Sequence, residues 1–143
     1  MVDVLWRRGR ESAAIALEEL WNELAESRRF ALLCGYHLDI FDIDVQRDAL
    51  PPLFHVHSHV RPTADPSRLA AAVDQALSEI LGAHEAARAY LDAAERSKTS
   101  GVPRAQAVLM WLSSEGSPRG EAILQRVRTH YRRLREAPLA VSA

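Results

Sequence analysis

The sequence predicts an α/β unit followed by a helical segment, so that the chain is mostly α by residue count. Residues 11–29 carry apolar side chains at helical spacing, with glutamates between them. The run FALLCGY, residues 30–36, is apolar on both sides, as in a strand that is covered on two faces. From Pro66 onward the chain is rich in alanine, and its apolar residues repeat in a heptad rhythm.

The composition narrows the class of protein. With 143 residues, of which 48% are hydrophobic, the chain is long enough to bury a core. A net charge of −1 argues against a protein that binds nucleic acid over its whole surface. Cys34 is the single cysteine, which excludes an internal disulfide and fits a reducing compartment. No apolar run reaches the length of a membrane span, so the sequence predicts a cytoplasmic protein.

The first helix and the strand are expected to form the centre of the α/β unit. The helix is predicted to bury Leu20, Trp21 and Leu24, whereas Glu18 and Glu19 form a solvated face with one of the two partly covered. Cys34 is interpreted as an inert core thiol, because no basic residue at helical spacing lowers its pKa. The strand FALLCGY is expected to pair with MVDVLW, with HVHSHV or with a second copy of itself. The segment MVDVLW is predicted to be either the end of a strand or the first turn of a helix.

Three histidines follow a short helix that is predicted from Asp44 and interrupted at Pro51-Pro52. They occupy alternate positions, so a strand would point all three imidazoles to one side, and imidazole binds zinc, nickel or copper. A structural zinc needs four ligands, however, and the only thiol lies in the predicted strand. The sequence therefore favours a polar loop without metal and leaves as weak metal candidates His55, His57 and His59. No catalytic motif is present, and no cofactor is expected.

The second region, residues 64–143, is predicted to contain a long helix at 66–98, a short helix at 103–113 and a basic helix at 120–136. The long helix has a seam of small and apolar residues: Leu69, Val73, Ala76, Ile80, Ala83, Ala87, Tyr90 and Ala94. Alanine at half of these positions favours close helix packing. Residues 66–98 are therefore expected to form a homodimer or to bind a signalling partner.

The basic helix offers a second interaction surface. Its candidate contact residues are Arg126, Arg128, Arg132, Arg133 and Arg135. Arginines on one helix can bind nucleic acid phosphates or an acidic protein. Tyr131 and Leu134 also give this helix an apolar side, which favours packing on the preceding helices over electrostatic docking. Both alternatives stay open.

The first part of the chain resembles the C-terminal third of the MEDS family, the methanogen/methylotroph DcmR-like sensory domain. The resemblance covers about residues 1–62 and depends on two tryptophans, an asparagine after the second, and the LLC-x-Y run. The matching positions are Met1-Val2, Leu5-Trp6, Gly9, Ala13-Ala14, Leu17-Glu18, Leu20-Trp21-Asn22, Leu24, Phe30, Leu32-Leu33-Cys34, Tyr36 and His57-Ser58-His59-Val60. His37 departs from the proline of many relatives.

The resemblance implies that residues 1–63 are the edge of a RecA-like sandwich from a bacterial sensory protein. Such domains are attached to histidine kinases or transcriptional regulators and are thought to sense hydrocarbon derivatives. The family's first two thirds, with most of its strands and its ligand pocket, would lie upstream of Met1. The sequence thus predicts a non-catalytic sensory or regulatory protein, in which a ligand or partner that contacts the α/β portion shifts the packing of the long helix. The alternative is a stand-alone helical module that docks a protein or nucleic acid through its Arg-rich helix.

Overall fold

The structure is a computed structural model that describes residues 2–96 and 101–136, and 73% of it is helical. The α-helices are α1 (Val2–Arg7), α2 (Glu11–Ser27), α3 (Leu50–His55), α4 (Pro66–Leu81), α5 (Ala83–Arg96), α6 (Arg104–Ser114) and α7 (Pro118–Glu136). The described residues form no strand and no sheet, so the predicted α/β fragment of a RecA-like sandwich is wrong, although the chain is mostly α. None of the described helices combines the length and apolar character that a bilayer crossing requires.

Residues 28–39 form an irregular extended segment instead of the predicted buried strand. Its side chains alternate: Cys34, Tyr36 and Leu38 are half-buried, while Leu33 is 97% exposed. A strand covered on both faces needs backbone partners at its edges. Both partners named from this chain fail, because MVDVLW forms α1 and HVHSHV contains the end of α3 and a loop. Only one face of the segment is therefore covered by protein.

The second helix turns a different face inward from the predicted one. Ala14 and Glu18 are its buried residues, whereas Leu20 is 60% exposed and Leu24 is 42% exposed. Trp21 is half-buried and packs edge-on against Phe30, with ring centroids 6.4 Å apart. Because α2 is covered mainly by α1 and by the extended segment, only a narrow stripe of this helix is buried.

Two groups of buried side chains hold the chain together. The first, here called the N-terminal cluster, contains Val2, Trp6, Ala14, Leu50, Leu53 and Phe54. The second is the core of a four-helix bundle formed by α4 to α7, in which α4 packs most extensively on α7. A π-helical turn at Val45–Ala49 leads into α3 and places Pro51 and Pro52 in the first turn of that helix. Proline is tolerated there because its missing N–H has no helical partner to lose.

The predicted long helix is in fact two helices separated by Gly82. Asp65 caps α4 as expected, since its carboxylate accepts a hydrogen bond from the N–H of Arg68 at 2.9 Å. Gly82 then adopts φ 79° and ψ 162°, a conformation that only glycine adopts readily, and it ends α4. Residues 97 and 98 lie outside the described residues.

The break at Gly82 also shifts the buried seam. In α4 the predicted positions Leu69, Val73 and Ala76 are buried, and they face helices of the same chain. In α5 the buried residues are Ala86, Ala89 and Ala93 instead of the predicted Ala83, Ala87 and Ala94. The α4 part of the seam is thus occupied by α7 and α5 and is not open to another chain.

Gly101, just before α6, approaches the loop after α3 very closely. Gly101 has φ 87°, and a Cβ atom built at this position would lie 2.4 Å from the carbonyl oxygen of Ser58. Only glycine allows the two backbones to pass at this distance. The position of the Ser58 loop therefore depends on the four-helix bundle.

Candidate functional site

A cavity of about 430 Å³ lies between the extended segment, α3 and residues 57–62. Most of its lining is apolar, contributed by Leu33, Leu38, Ile40, Leu50, Leu53, Phe54, Val60 and Pro62. The polar side chains of the lining are Cys34, Tyr36, His57, His59 and Arg61. An apolar cavity of this size with a few polar groups on its wall is typical of small-molecule binding sites.

The polar part of the wall is organised around the carboxylate of Glu18, which is 3% exposed. Tyr36 donates its hydroxyl hydrogen bond to Oε1 at 2.6 Å, and the thiol of Cys34 donates to Oε2 at 3.1 Å. Nε2 of His57 lies 3.7 Å from Oε1. These four residues, Glu18, Cys34, Tyr36 and His57, are called the Glu18 cluster below.

Three separate parts of the chain build the Glu18 cluster. Glu18 lies one helical turn after Ala14, so both face the N-terminal cluster. Cys34 and Tyr36 are two residues apart on an extended segment, so their side chains point to the same side. Asn22, one turn further along α2, donates to the carbonyl of Val56 at 2.8 Å. This hydrogen bond holds the residue before His57 against α2.

The imidazole of His57 has a defined orientation. Its Nδ1 lies 2.7 Å from the carbonyl oxygen of Leu53, and a carbonyl oxygen can only accept, so Nδ1 carries the hydrogen. In the neutral imidazole Nε2 then carries the lone pair. Nε2 is buried and has no hydrogen-bond partner within the described part of the chain. Tyr36 supports the ring from the side in a T-shaped contact, with centroids 6.2 Å apart.

The environment of Cys34 keeps its thiol protonated. Burial raises the pKa of Cys34 from 9.0 to about 11, and the hydrogen bond to Glu18 and the charge of Glu18 act in the same direction. Burial and the same carboxylate also raise the pKa of Tyr36. A nucleophilic cysteine needs the opposite, a lowered pKa. The arrangement therefore does not activate Cys34 for covalent catalysis.

The structure does not bring the three candidate histidines together as a metal site. His55 is exposed at the last residue of α3, and His59 is exposed with Nδ1 3.3 Å from the hydroxyl of Ser58. Of the three histidines, only His57 belongs to the Glu18 cluster. The strand geometry that would have aligned the three imidazoles does not occur, because the segment begins as helix and continues as a loop.

The arginines of α7 divide into two groups. Arg126 lies 3.5 Å from Glu79 of α4, and Arg128 forms an ion pair with Asp39 of the extended segment. Arg132 and Arg133 are exposed, and the side chain of Arg135 is outside the described part of the chain. Two of the predicted contact residues therefore hold the bundle and the extended segment together.

Sequence reasoning missed the Glu18 cluster as a unit. A glutamate among apolar helical neighbours gives no sign of burial by itself, and Cys34 was interpreted as inert. The available signal was the spacing of Cys34 and Tyr36, because alternate residues of any extended segment share a side. That spacing alone does not identify Glu18 as their common partner.

Comparison of the chain with protein-family models, with curated proteins and with solved structures found no match. The resemblance of residues 1–62 to the MEDS family therefore stays a prediction, and the strands that it implied are absent from the described residues.

Proposed function

We propose that this chain is a non-catalytic regulatory protein that binds a small organic molecule in the cavity beside the Glu18 cluster. The observation that carries the proposal is the cavity itself, about 430 Å³, with a largely apolar lining to which Cys34, Tyr36 and His57 of the Glu18 cluster also contribute. The raised pKa of Cys34, to about 11, favours binding over nucleophilic catalysis.

The cavity wall defines the chemistry of the ligand. Its apolar side suits a short hydrocarbon body. On the polar side, Tyr36 and Cys34 already donate to Glu18, whereas Nε2 of His57 is an unused acceptor in the described structure. The proposed ligand is therefore a small molecule with an apolar chain and one hydroxyl or amine group that donates to His57.

Side-chain contacts connect the cavity to the four-helix bundle. Ile40 lines the cavity and also packs against the bundle core. Its carbonyl accepts a hydrogen bond from the side chain of Gln46, and Oε1 of Gln46 accepts from Gln106 of α6 at 2.6 Å. A ligand that moves the extended segment would therefore alter the packing of α6. These contacts would transmit the effect of a bound ligand to the helices of the bundle, where a partner protein could bind.

Binding can be tested by two-dimensional NMR with n-hexanol and n-hexylamine as probes and methyl pentyl ether as a comparator without a donor. We expect the alcohol and the amine to shift the resonances of Leu38, Leu53 and His57 and to bind more tightly than the ether. Leu38→Trp fills the cavity and should abolish these shifts. Leu91→Trp, at an exposed position of α5, is the matched control and should leave them unchanged. Shifts scattered over the surface, or equal shifts in both variants, would contradict the proposal.

A further inference from the structure

The Glu18 cluster contains three different metal-ligating atoms that converge. A carboxylate oxygen of Glu18, Sγ of Cys34 and one ring nitrogen of His57 all lie within 4.8 Å of one another. They come from α2, the extended segment and the loop after α3, so their proximity is a property of the fold and not of neighbouring sequence. Carboxylate, thiolate and imidazole together are a ligand set that zinc accepts.

The three ligand atoms lie near the separations of a tetrahedral ion but do not yet match them, so binding requires the extended segment to adjust. Metal–ligand bonds of about 2.0 to 2.3 Å place ligand atoms roughly 3.3 to 3.8 Å apart in a tetrahedron. Cys34 Sγ is 3.1 Å from Glu18 Oε2 and His57 Nε2 is 3.7 Å from Glu18 Oε1, so the two distances end at different oxygens of the carboxylate, and one ligand atom from each residue lies within 4.8 Å of the others. Cys34 belongs to the irregular segment, which can adjust without disturbing a helix.

The surroundings orient the ligands as outer-shell groups do in metalloproteins. Nδ1 of His57 donates to the carbonyl of Leu53, which directs the lone pair of Nε2 into the cluster. Tyr36 donates to Glu18 Oε1 and fixes the carboxylate. Nε2 is buried with no hydrogen-bond partner in residues 2–96 and 101–136. A buried ring nitrogen without a hydrogen-bond partner, 3.7 Å from a carboxylate oxygen, is available to bind a cation that the carboxylate also binds.

From this geometry we infer that Glu18, Cys34 and His57 bind a zinc ion as three protein ligands, with a fourth position facing the cavity. Cys34 and His57 belong to the cavity lining, whereas Glu18 lies behind them, so the uncovered side of the ion faces the cavity. On binding, the Cys34 sulfur forms a bond to zinc, its proton leaves to solvent and the hydrogen bond to Glu18 is lost. His55 and His59 are not ligands.

The fourth position of the zinc would also contact the ligand of the proposed function. Only this part of the inference rests on the proposed function. Once zinc occupies Nε2 of His57, a cavity ligand can no longer donate to that nitrogen, and its hydroxyl oxygen, or water, would instead complete the tetrahedron. Metal binding itself does not depend on the organic ligand. A chain that binds cobalt but no alcohol would therefore overturn the proposed function and leave the zinc site in place.

The test uses the full chain and Co²⁺ alone as a spectroscopic substitute for zinc. We expect the thiolate-to-cobalt charge-transfer band together with the intense visible bands of a four-coordinate ion, and we expect added Zn²⁺ to displace both. Cys34→Ser should remove the charge-transfer band. Glu18→Gln and His57→Gln should each weaken cobalt binding by more than about 100-fold, beyond the loss that an outer-shell change causes.

His55→Gln is the matched control, since His55 is an exposed histidine of the same region that does not line the cavity, and His84→Gln, at an exposed position of α5, is a second control. Each should bind cobalt as the unchanged chain does. Circular dichroism establishes that every variant is folded, and His57→Gln serves as the decisive variant if Cys34→Ser unfolds. The absence of a charge-transfer band in the unchanged chain, or equal loss of binding in the control variants, would overturn the inference.

Discussion

Gln106 donates a hydrogen bond from Nε2 to Oε1 of Gln46 at 2.6 Å, and both side chains are inaccessible to solvent. Gln46 belongs to the π-helical turn before α3, and Gln106 belongs to α6. The pair is a buried polar link between the region that forms the cavity and the four-helix bundle. A buried hydrogen bond of this kind adds little net stability. Removing only one partner is strongly destabilising, however, because the other polar group is left buried without a hydrogen bond.

Replacing Gln106 with leucine should destabilise the protein by about 1 to 3 kcal/mol, because Oε1 of Gln46 loses its donor in a buried place. Gln125→Leu is the control, since Gln125 is exposed on α7 and should change the free energy of unfolding by less than about 0.5 kcal/mol. Urea denaturation measures both values. Equal stability of the two variants would show that the buried pair is not needed.

The pKa of Cys34 predicts a stability change at alkaline pH. The thiol loses its proton near pH 9.0 in the unfolded chain and near pH 11 in the folded chain. Between these values the folded state binds more protons, so the contribution of Cys34 is fully present below pH 9 and is lost as the pH rises towards 11. Denaturation of the unchanged chain and of Cys34→Ala across this range should give free energies that converge. Parallel pH profiles would contradict the raised pKa.

Phe54 and Trp21 should differ in their importance for stability, although both are large aromatic residues. Phe54 is 4% exposed in the N-terminal cluster, so Phe54→Ala should cost about 3 to 5 kcal/mol. Trp21 is only half-buried, and Trp21→Ala should cost about 1 to 2 kcal/mol. Urea denaturation of the two variants provides the comparison. A larger loss of unfolding free energy in Trp21→Ala than in Phe54→Ala would indicate that α2 buries the face that the sequence predicted.

Two glycines with positive φ should respond differently to alanine. Gly82→Ala introduces backbone strain of about 1 to 3 kcal/mol, and no atom lies near the added methyl group. Gly101→Ala adds a contact of 2.4 Å with the carbonyl of Ser58, so it should lower the melting temperature further. It should also shift the NMR signals of Ser58 and His59, whereas Gly82→Ala should not. Similar effects of the two variants would rule out the close backbone approach.

Local chemistry made part of the fold predictable. Asp65 and Pro66 mark the start of α4 because a capping carboxylate followed by proline acts within one helical turn. The helices expected at 103–113 and 120–136 are observed at Arg104–Ser114 and Pro118–Glu136, and a proline stands at or just before the start of each, although α6 has no side-chain cap. The break at Gly82 is not predictable from the sequence, since one glycine in an alanine-rich stretch costs only about 1 kcal/mol if it stays helical.

The wrong predictions concern features that depend on contacts with residues far away in the sequence. FALLCGY has the composition of a buried strand, but a strand exists only where neighbouring backbone accepts its hydrogen bonds. Glu18 looks like a solvated residue, and its burial becomes favourable only because Cys34 and Tyr36 donate to it. His57 lies among three similar histidines, and the contact that distinguishes it is with a helix that begins more than 40 residues earlier. No local pattern contains this information.

The extended segment that forms one wall of the cavity makes the hydrogen bonds of its backbone near its ends, from Arg28 to Leu24 and from His37 to Asp3. Such a segment opens locally at a lower free energy than the helices around it. A brief displacement of this wall would widen the cavity without global unfolding, so molecules of different size could enter the same site. The amide protons of residues 30–36 should accordingly exchange with solvent much faster than those of α3.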